Sequence, residues 1–289
     1  MVWINGELKA NDEACISVYD HGLLYGDGIF EGIRLYGGGV FKMEAHMDRL
    51  FDSAQCIALD IGMSKKEMSE ALLKTVEASG RKEGYIRLIV TRGEGTLGTD
   101  PDKCEKPTVI IIVDGISLYP EEKYRNGISI ITAATRRIGP NCLDPRVKSL
   151  NYLNNVLGKI EAKQAGCSEA VMLNGEGRVA ECTVDNIFIV KNGTVLTPPS
   201  IDGALEGITR QTVIEVCEKS GIPVREASMT RFDLYTADEM FLTGSGAEVI
   251  PVVTVDGRKV GPGVPGAMTN KLIVLFKEFV HRWGSGSNL

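Results

Sequence analysis

Apolar residues recur at three- and four-residue steps in some stretches of this chain and form short runs or alternations in others, so helices and strands are interleaved. Met47, Leu50, Phe51 and Ala54 predict a helix over 44–58, with Arg49 on its flank rather than in its apolar stripe. Ser64, with Glu67 three residues on, is a capping box for a second helix that closes at Gly80. Leu150, Leu153, Val156, Leu157, Ile160 and Ala165 predict a third helix ending before Gly166, with Ser149 as its cap. A fourth, with the stripe Val213, Val216 and Cys217, opens at Leu205-Glu206-Gly207-Ile208-Thr209-Arg210.

The strands are shorter. Val2-Trp3-Ile4 leads into an Asn5-Gly6 hairpin turn, and Ile16-Ser17-Val18-Tyr19 reads as another strand. His21 to Gly28 reads as a glycine-rich loop feeding a strand from Ile29 to Tyr36, which returns through Val40-Phe41. Strands are also predicted at 85–90, 108–113, 128–131, 169–173, 178–181, 186–190 and 239–242, with Asn174-Gly175 and Asn192-Gly193 as turns. Residues 1–115 therefore form a small α/β domain of α+β layout, and residues 116–127, with Pro120 and Glu121-Glu122-Lys123, a linker. Residues 128–283 form a larger domain whose interleaved strands and helices suggest a closed or nearly closed sheet. The Gly/Ser-rich end, 284–289, has the composition of a flexible tail.

Composition removes several function classes. The 289 residues are enough for two cores, and a net charge of −6 with scattered Lys and Arg gives no basic face for nucleic acid. No secretory leader is visible, and the run Val109 to Val113 is too short to span a bilayer, so a soluble cytoplasmic protein is expected. Seven cysteines without a C-x-x-C pair read as reduced thiols, and three histidines out of ligand spacing predict no metal site.

The candidate chemistry starts at Lys148. Placed just before a helix, it lies where the positive end of the macrodipole disfavours an added cation and favours a neutral amine able to form a Schiff base. Glu181 ends a strand; beside a pyridine nitrogen, a carboxylate there would keep that nitrogen protonated and the ring electron-poor. Gly207, Ile208 and Thr209 at a helix start, and Thr243-Gly244-Ser245-Gly246-Ala247 after a strand, offer backbone N–H groups and hydroxyls to a phosphate. Taken singly, each is an ordinary surface feature.

Together these pieces resemble the class IV, or fold-type IV, pyridoxal-phosphate-dependent aminotransferases. The family's signature stretch appears here as Glu181, Thr183, Asn186-Ile187-Phe188, Val195, Thr197, Leu205, Gly207-Ile208 and Arg210. The resemblance implies Lys148 as the Schiff-base lysine, Glu181 as the pyridine-nitrogen partner and Tyr152 as the partner of the ring hydroxyl. It implies Arg49, Gly207, Ile208, Thr209, Gly244 and Ser245 as holders of the phosphate end of pyridoxal 5'-phosphate, with pyridoxamine 5'-phosphate as the alternate form. Within the family, Phe30-Glu31-Gly32-Ile33-Arg34 and Tyr85-Ile86-Arg87 are similar to branched-chain amino acid aminotransferases, although Leu88 stands where many of those carry proline. That similarity implies a substrate pocket of Tyr25, Phe30, Arg34, Tyr85, Arg87, Tyr119, Gly246 and Ala247, with aromatic walls for leucine, isoleucine and valine and Arg87 for the distal carboxylate of glutamate. It also implies 2-oxoglutarate as acceptor and a homodimer or higher homo-oligomer. A D-amino acid aminotransferase, an aminodeoxychorismate lyase of the same family and a non-catalytic binding protein are the competing readings.

Overall fold

The computed structural model describes residues 1–116 and 119–284, which fall into two compact units. The first holds Met1–Ile116, Val147–Asn151 and residues 280–284; the second holds residue 119 to Arg146 and Tyr152–Phe279. Lys148, placed by the sequence in the second domain, is thus grouped with the first unit. The tail expected at 284–289 lies, beyond Gly284, outside the described residues, as do Ser117 and Leu118 of the expected linker.

The first unit is built from β1 (Val2–Ile4), β2 (Glu7–Lys9), α1 (His21–Tyr25), β3 (Gly28–Tyr36), β4 (Gly39–Val40), α2 (Met43–Cys56), α3 (Lys65–Ser79), β5 (Gly84–Thr91) and β6 (Thr108–Asp114). Its antiparallel sheet has the order β2-β1-β6-β5-β3-β4. Alternation decides which face is dry: Ile29, Ile33 and Leu35 of β3, Ile86, Leu88 and Val90 of β5 and Val109, Ile111 and Val113 of β6 join one core with Met47 and Leu50 of α2 and Met68 and Leu72 of α3. Leu88 is therefore core. The α3 capping box is complete, and Gly80 ends that helix at φ 64°. Residues 16–19 form no strand, and His21–Tyr25 is a short helix rather than a loop, because Asp20 caps it and Gly26 closes it in the left-handed region.

The segment around Lys148 departs most from expectation. The Phe30 N–H donates to the Lys148 carbonyl and the Leu150 N–H to the Gly28 carbonyl, both at 2.9 Å, so Val147–Leu150 runs as an extended strip along β3. Residues paired in that way cannot turn into a helix. In the second unit, α5 (Leu153–Gln164) accordingly begins later, with Tyr152 rather than Ser149 at its N-cap and no side-chain cap bond. The macrodipole argument for Lys148 lapses with it, since that field fades within a turn.

The second unit continues with α4 (Glu121–Asn126), a single turn and a half inside the expected linker, then β7 (Ile128–Thr132), α5, β8 (Glu169–Leu173), β9 (Val179–Cys182), β10 (Asn186–Lys191) and β11 (Thr194–Thr197). It ends with α6 (Ile208–Lys219), β12 (Val224–Glu226), α7 (Arg231–Tyr235), β13 (Glu239–Gly244), β14 (Glu248–Val255), β15 (Arg258–Lys259) and α8 (Ala267–Gly284), whose residues from Val280 on are grouped with the first unit. The sheet runs β12-β11-β10-β13-β14-β7-β8-β9, with β15 added to β14, and β9 comes back beside β10: a pseudo-barrel rather than a ladder closed all round. Parallel pairs β7/β8, β7/β14 and β11/β12 mix with antiparallel ones. The apolar stripe predicted for α5 faces outward; the helix packs instead through Asn155, Gly158 and Ala162. Gly158 permits that approach, since a side chain there would press on Thr183 and Met172.

Candidate active site

In the first unit, the residues singled out for substrate share one face of the sheet. Phe30, Gly32 and Arg34 of β3 stand opposite Ile89, Arg87 and Tyr85 of β5, while the residues between them point into the core. A Cβ on Gly32 would collide with the Tyr85 hydroxyl, so a larger residue there would displace that side chain. The Arg87 guanidinium lies 4.5 Å from the Phe30 ring centroid and 5.5 Å from that of Tyr85, and the Lys148 amine lies 4.6 Å from the Phe30 ring. Arg34 lies over Tyr36, further along the same face. Tyr25, at the end of α1, accepts the Gly98 N–H on its hydroxyl at 2.7 Å.

Behind that face, α2 supplies the support. His46, Arg49 and Ser53 follow one another at three- and four-residue steps and so share one side of the helix. The Arg49 Nε donates to Glu31 Oε1 at 2.7 Å and its Nη2 to Glu31 Oε2 at 2.8 Å; His46 Nδ1 meets the same Oε2 at 2.7 Å. Ser53 accepts the Lys148 N–H at 3.2 Å. Glu31, His46 and Ser53 were not among the predicted site residues. The signal for the last two was present in the sequence, as polar side chains sharing a helix side with Arg49.

This cluster ties stability to pH. Burial raises the Glu31 carboxyl, but Arg49 and His46 outweigh it and hold the group well below the usual carboxylate range. Burial lowers His46, more than Glu31 raises it. Both folded-state values lie below the unfolded ones, so each group contributes stability that is present above its unfolded value and lost as pH falls below it: from 6.5 downward for His46, from 4.5 downward for Glu31. We expect Tm to decline below pH 6.5, and H46Q to flatten that decline down to about pH 5. An unchanged slope in thermal melts of H46Q would place its origin elsewhere.

In the second unit, Glu181 is buried at the end of β9 with both oxygens engaged. Arg137 Nη2 donates to Oε1 at 2.7 Å; Asn186 Nδ2 and the Leu205 N–H donate to Oε2 at 3.0 and 3.1 Å. Arg137 is itself fixed by Asn155 Oδ1 at 2.9 Å and the Gly203 carbonyl at 3.2 Å. Gly207 is the N-cap of α6 with no side-chain cap bond, so the first-turn amides of Ile208, Thr209 and Arg210 lack the usual internal acceptor. A Cβ on Gly207 would strike the Asn186 amide, and one on Gly244 the Asp185 carboxylate. Residues 185–186 therefore lie against both small-residue segments. Ser245, Gly246 and Ala247 form the turn between β13 and β14, and Tyr152 stands at the head of α5. Burial, and then Asp185 and Glu169, push the Tyr119 phenol well above its usual range. Arg137 and Asn155 were missed by the sequence reading, and their spacing carried no signal.

The sequence matches the amino-transferase class IV family over residues 28–255. A Methanocaldococcus jannaschii protein, provisionally named a branched-chain-amino-acid aminotransferase, is 48% identical over 283 residues, 98% of this chain and 97% of its own. A D-alanine aminotransferase of Bacillus licheniformis is 36% identical over 271 residues, 94% of each chain. Among solved structures, the branched-chain amino acid aminotransferase from Thermobaculum terrenum in its PLP-bound form superposes with a TM-score of 0.87 at 30% identity, covering 98% of this chain and 94% of that one. Fold and comparisons together define a fold-type IV transaminase that depends on pyridoxal phosphate. The chain belongs to the class IV aminotransferases.

The residues present fit that cofactor. Taken unit by unit, the half-buried Lys148 of the first has an amine of the kind that condenses with an aldehyde; in the second, a buried Glu181 carboxylate bonded by a guanidinium and two N–H donors suits a basic ring nitrogen, and a helix start without a side-chain cap suits a phosphate. Among the described residues, no helix is long and apolar enough to cross a membrane and no cluster is arranged to hold a metal ion.

Proposed function

We propose that the enzyme transfers the amino group of L-leucine, L-isoleucine and L-valine to 2-oxoglutarate, giving the 2-oxo acids and L-glutamate. The observation that carries this reading is the Phe30 ring, with the Lys148 amine at 4.6 Å and the Arg87 guanidinium at 4.5 Å. An apolar wall beside an amine suits an aliphatic amino acid, and a cation on the same wall suits the second carboxylate of glutamate. When bound, the cofactor supplies an aldehyde that condenses with amines and a ring that draws electrons from the substrate Cα. Lys148 would take the proton from the substrate Cα on its amine and deliver it to the carbon that the aldehyde supplies, so that the amino group stays with the cofactor and the 2-oxo acid leaves on hydrolysis. Glu181, kept anionic by Arg137, holds a proton at the ring nitrogen. Arg49 and the first-turn amides of α6 bind phosphate oxygens, and Tyr152 bonds the ring hydroxyl.

Steady-state kinetics with a panel of donors test this. R87L should raise KM for 2-oxoglutarate about 10–150-fold, the worth of a charged hydrogen bond, and leave KM for L-leucine nearly unchanged. Equal effects on both substrates would remove Arg87 from the carboxylate role. The Bacillus licheniformis relative supports a second reading, in which D-amino acids are the donors. Turnover of D-alanine but not L-leucine would select it.

The outward stripe of α5 suits a second copy of this chain. Leu153, Val156, Leu157 and Ile160 are 44–70% exposed, more apolar surface than one helix face of a monomer ordinarily shows. Sedimentation of the native enzyme as a monomer would exclude a homodimer. Seven free thiols accord with a reducing, cytoplasmic setting.

A further inference from the structure

We propose that Glu31 and His46 are positioning residues for phosphate recognition: they lock the Arg49 guanidinium in one plane, and so set how strongly the enzyme prefers the phosphorylated cofactor to its unphosphorylated form. This rests on the assignment of Arg49 to the phosphate given above.

Glu31 sits on the core face of β3, fully buried, between Phe30 and Gly32 of the substrate face. A carboxylate in that setting is costly unless its lone pairs are used. Here they are: Oε1 takes Arg49 Nε, and Oε2 takes Arg49 Nη2, His46 Nδ1 and, at 3.2 Å, the Gly32 N–H. The two-point fork to Nε and Nη2 fixes the guanidinium plane and turns its Nη1 edge away from Glu31. His46 adds the second constraint. Because an ionised carboxylate only accepts, the imidazole must donate from Nδ1, and its buried Nε2 has no hydrogen-bond partner. The neutral ring leaves its other nitrogen buried and unpaired. It stops the Glu31 carboxylate from rotating, and with it the fork.

The same side of α2 carries Ser53, which accepts the Lys148 N–H. One helix face thereby indexes both the amine that bonds the aldehyde and the cation that meets the phosphate. Arg49 loses its rotamer freedom when the protein folds rather than when the ligand arrives.

The test is equilibrium binding of pyridoxal phosphate and of pyridoxal to the apoenzyme, read from the absorbance of bound ligand, with the ratio of the two Kd values as the result. E31Q should lower the parental preference for the phosphorylated ligand about tenfold or more. H46Q should lower it by a smaller factor. R49K, which keeps the charge and loses the fork, should lower it as E31Q does. A merely structural role would weaken both ligands alike and leave the ratio at the parental value. Parental ratios in E31Q and R49K, alongside a collapsed ratio in R49A, would overturn the positioning role while leaving Arg49 as the phosphate ligand. A parental ratio in R49A would overturn the Arg49 assignment, and the positioning role with it. Should E31Q fail to fold, R49K and H46Q decide the matter by the same criterion.

Discussion

K148A should lose transamination by at least about 10²–10⁴-fold, the range for removing a positioned proton-transfer group, and should no longer be labelled by cofactor plus borohydride. The fold should survive, because the backbone hydrogen bonds of this residue remain on truncation. The Lys148 carbonyl accepts from Phe30, and its N–H donates to Ser53. Truncation removes the Lys148 nitrogen from over the Phe30 ring, a contact worth about 0.5–2 kcal/mol at most. A variant with near-parental Tm and no turnover therefore reports chemistry rather than unfolding. Parental turnover of L-leucine with 2-oxoglutarate, or a borohydride label on a different peptide, would take the role away from Lys148.

The sequence was most legible where a short-range rule decides the structure. The Ser64–Glu67 box, the Gly80 stop and the turns at Asn5-Gly6, Asn174-Gly175 and Asn192-Gly193 depend only on neighbours along the chain. That Phe30 and Arg34 share one face of their strand, and Tyr85 and Arg87 one face of theirs, follows from strand alternation, whereas the register that sets the two strands side by side does not. Lys148 shows the opposite case. Its local sequence reads as the approach to a helix, yet hydrogen bonds to Gly28 and Phe30, more than a hundred residues away, hold it extended. Likewise the α5 stripe reads as buried in sequence and is exposed, because the close approach to Thr183 and Met172 selects Gly158 and its small neighbours for the inner face. The buried ion pairs Glu31–Arg49 and Arg137–Glu181 span 18 and 44 positions, beyond any pattern in one chain.

The Arg137–Glu181 pair gives the second large effect, and it separates fold from chemistry. E181Q replaces a charge that favours a protonated ring nitrogen by a neutral amide that does not, so kcat should fall about 10²–10⁴-fold. The same change leaves Arg137, whose side chain is about 5% exposed, with no negative partner: its acceptors are then neutral, the new amide oxygen at 181, Asn155 Oδ1 and the Gly203 carbonyl. An uncompensated buried cation costs about 3–5 kcal/mol, so E181Q should also melt earlier. Lower activity alone would then be ambiguous. Replacing Arg137 as well resolves it: E181Q with R137M removes the stranded charge, and stability should recover much of the loss because a buried ion pair is often replaceable by apolar groups of similar volume. Turnover should not recover, because methionine restores no negative charge at the ring nitrogen. If the double variant regained both Tm and kcat, Glu181 would be only a counter-ion for Arg137, and another residue would have to govern the ring nitrogen.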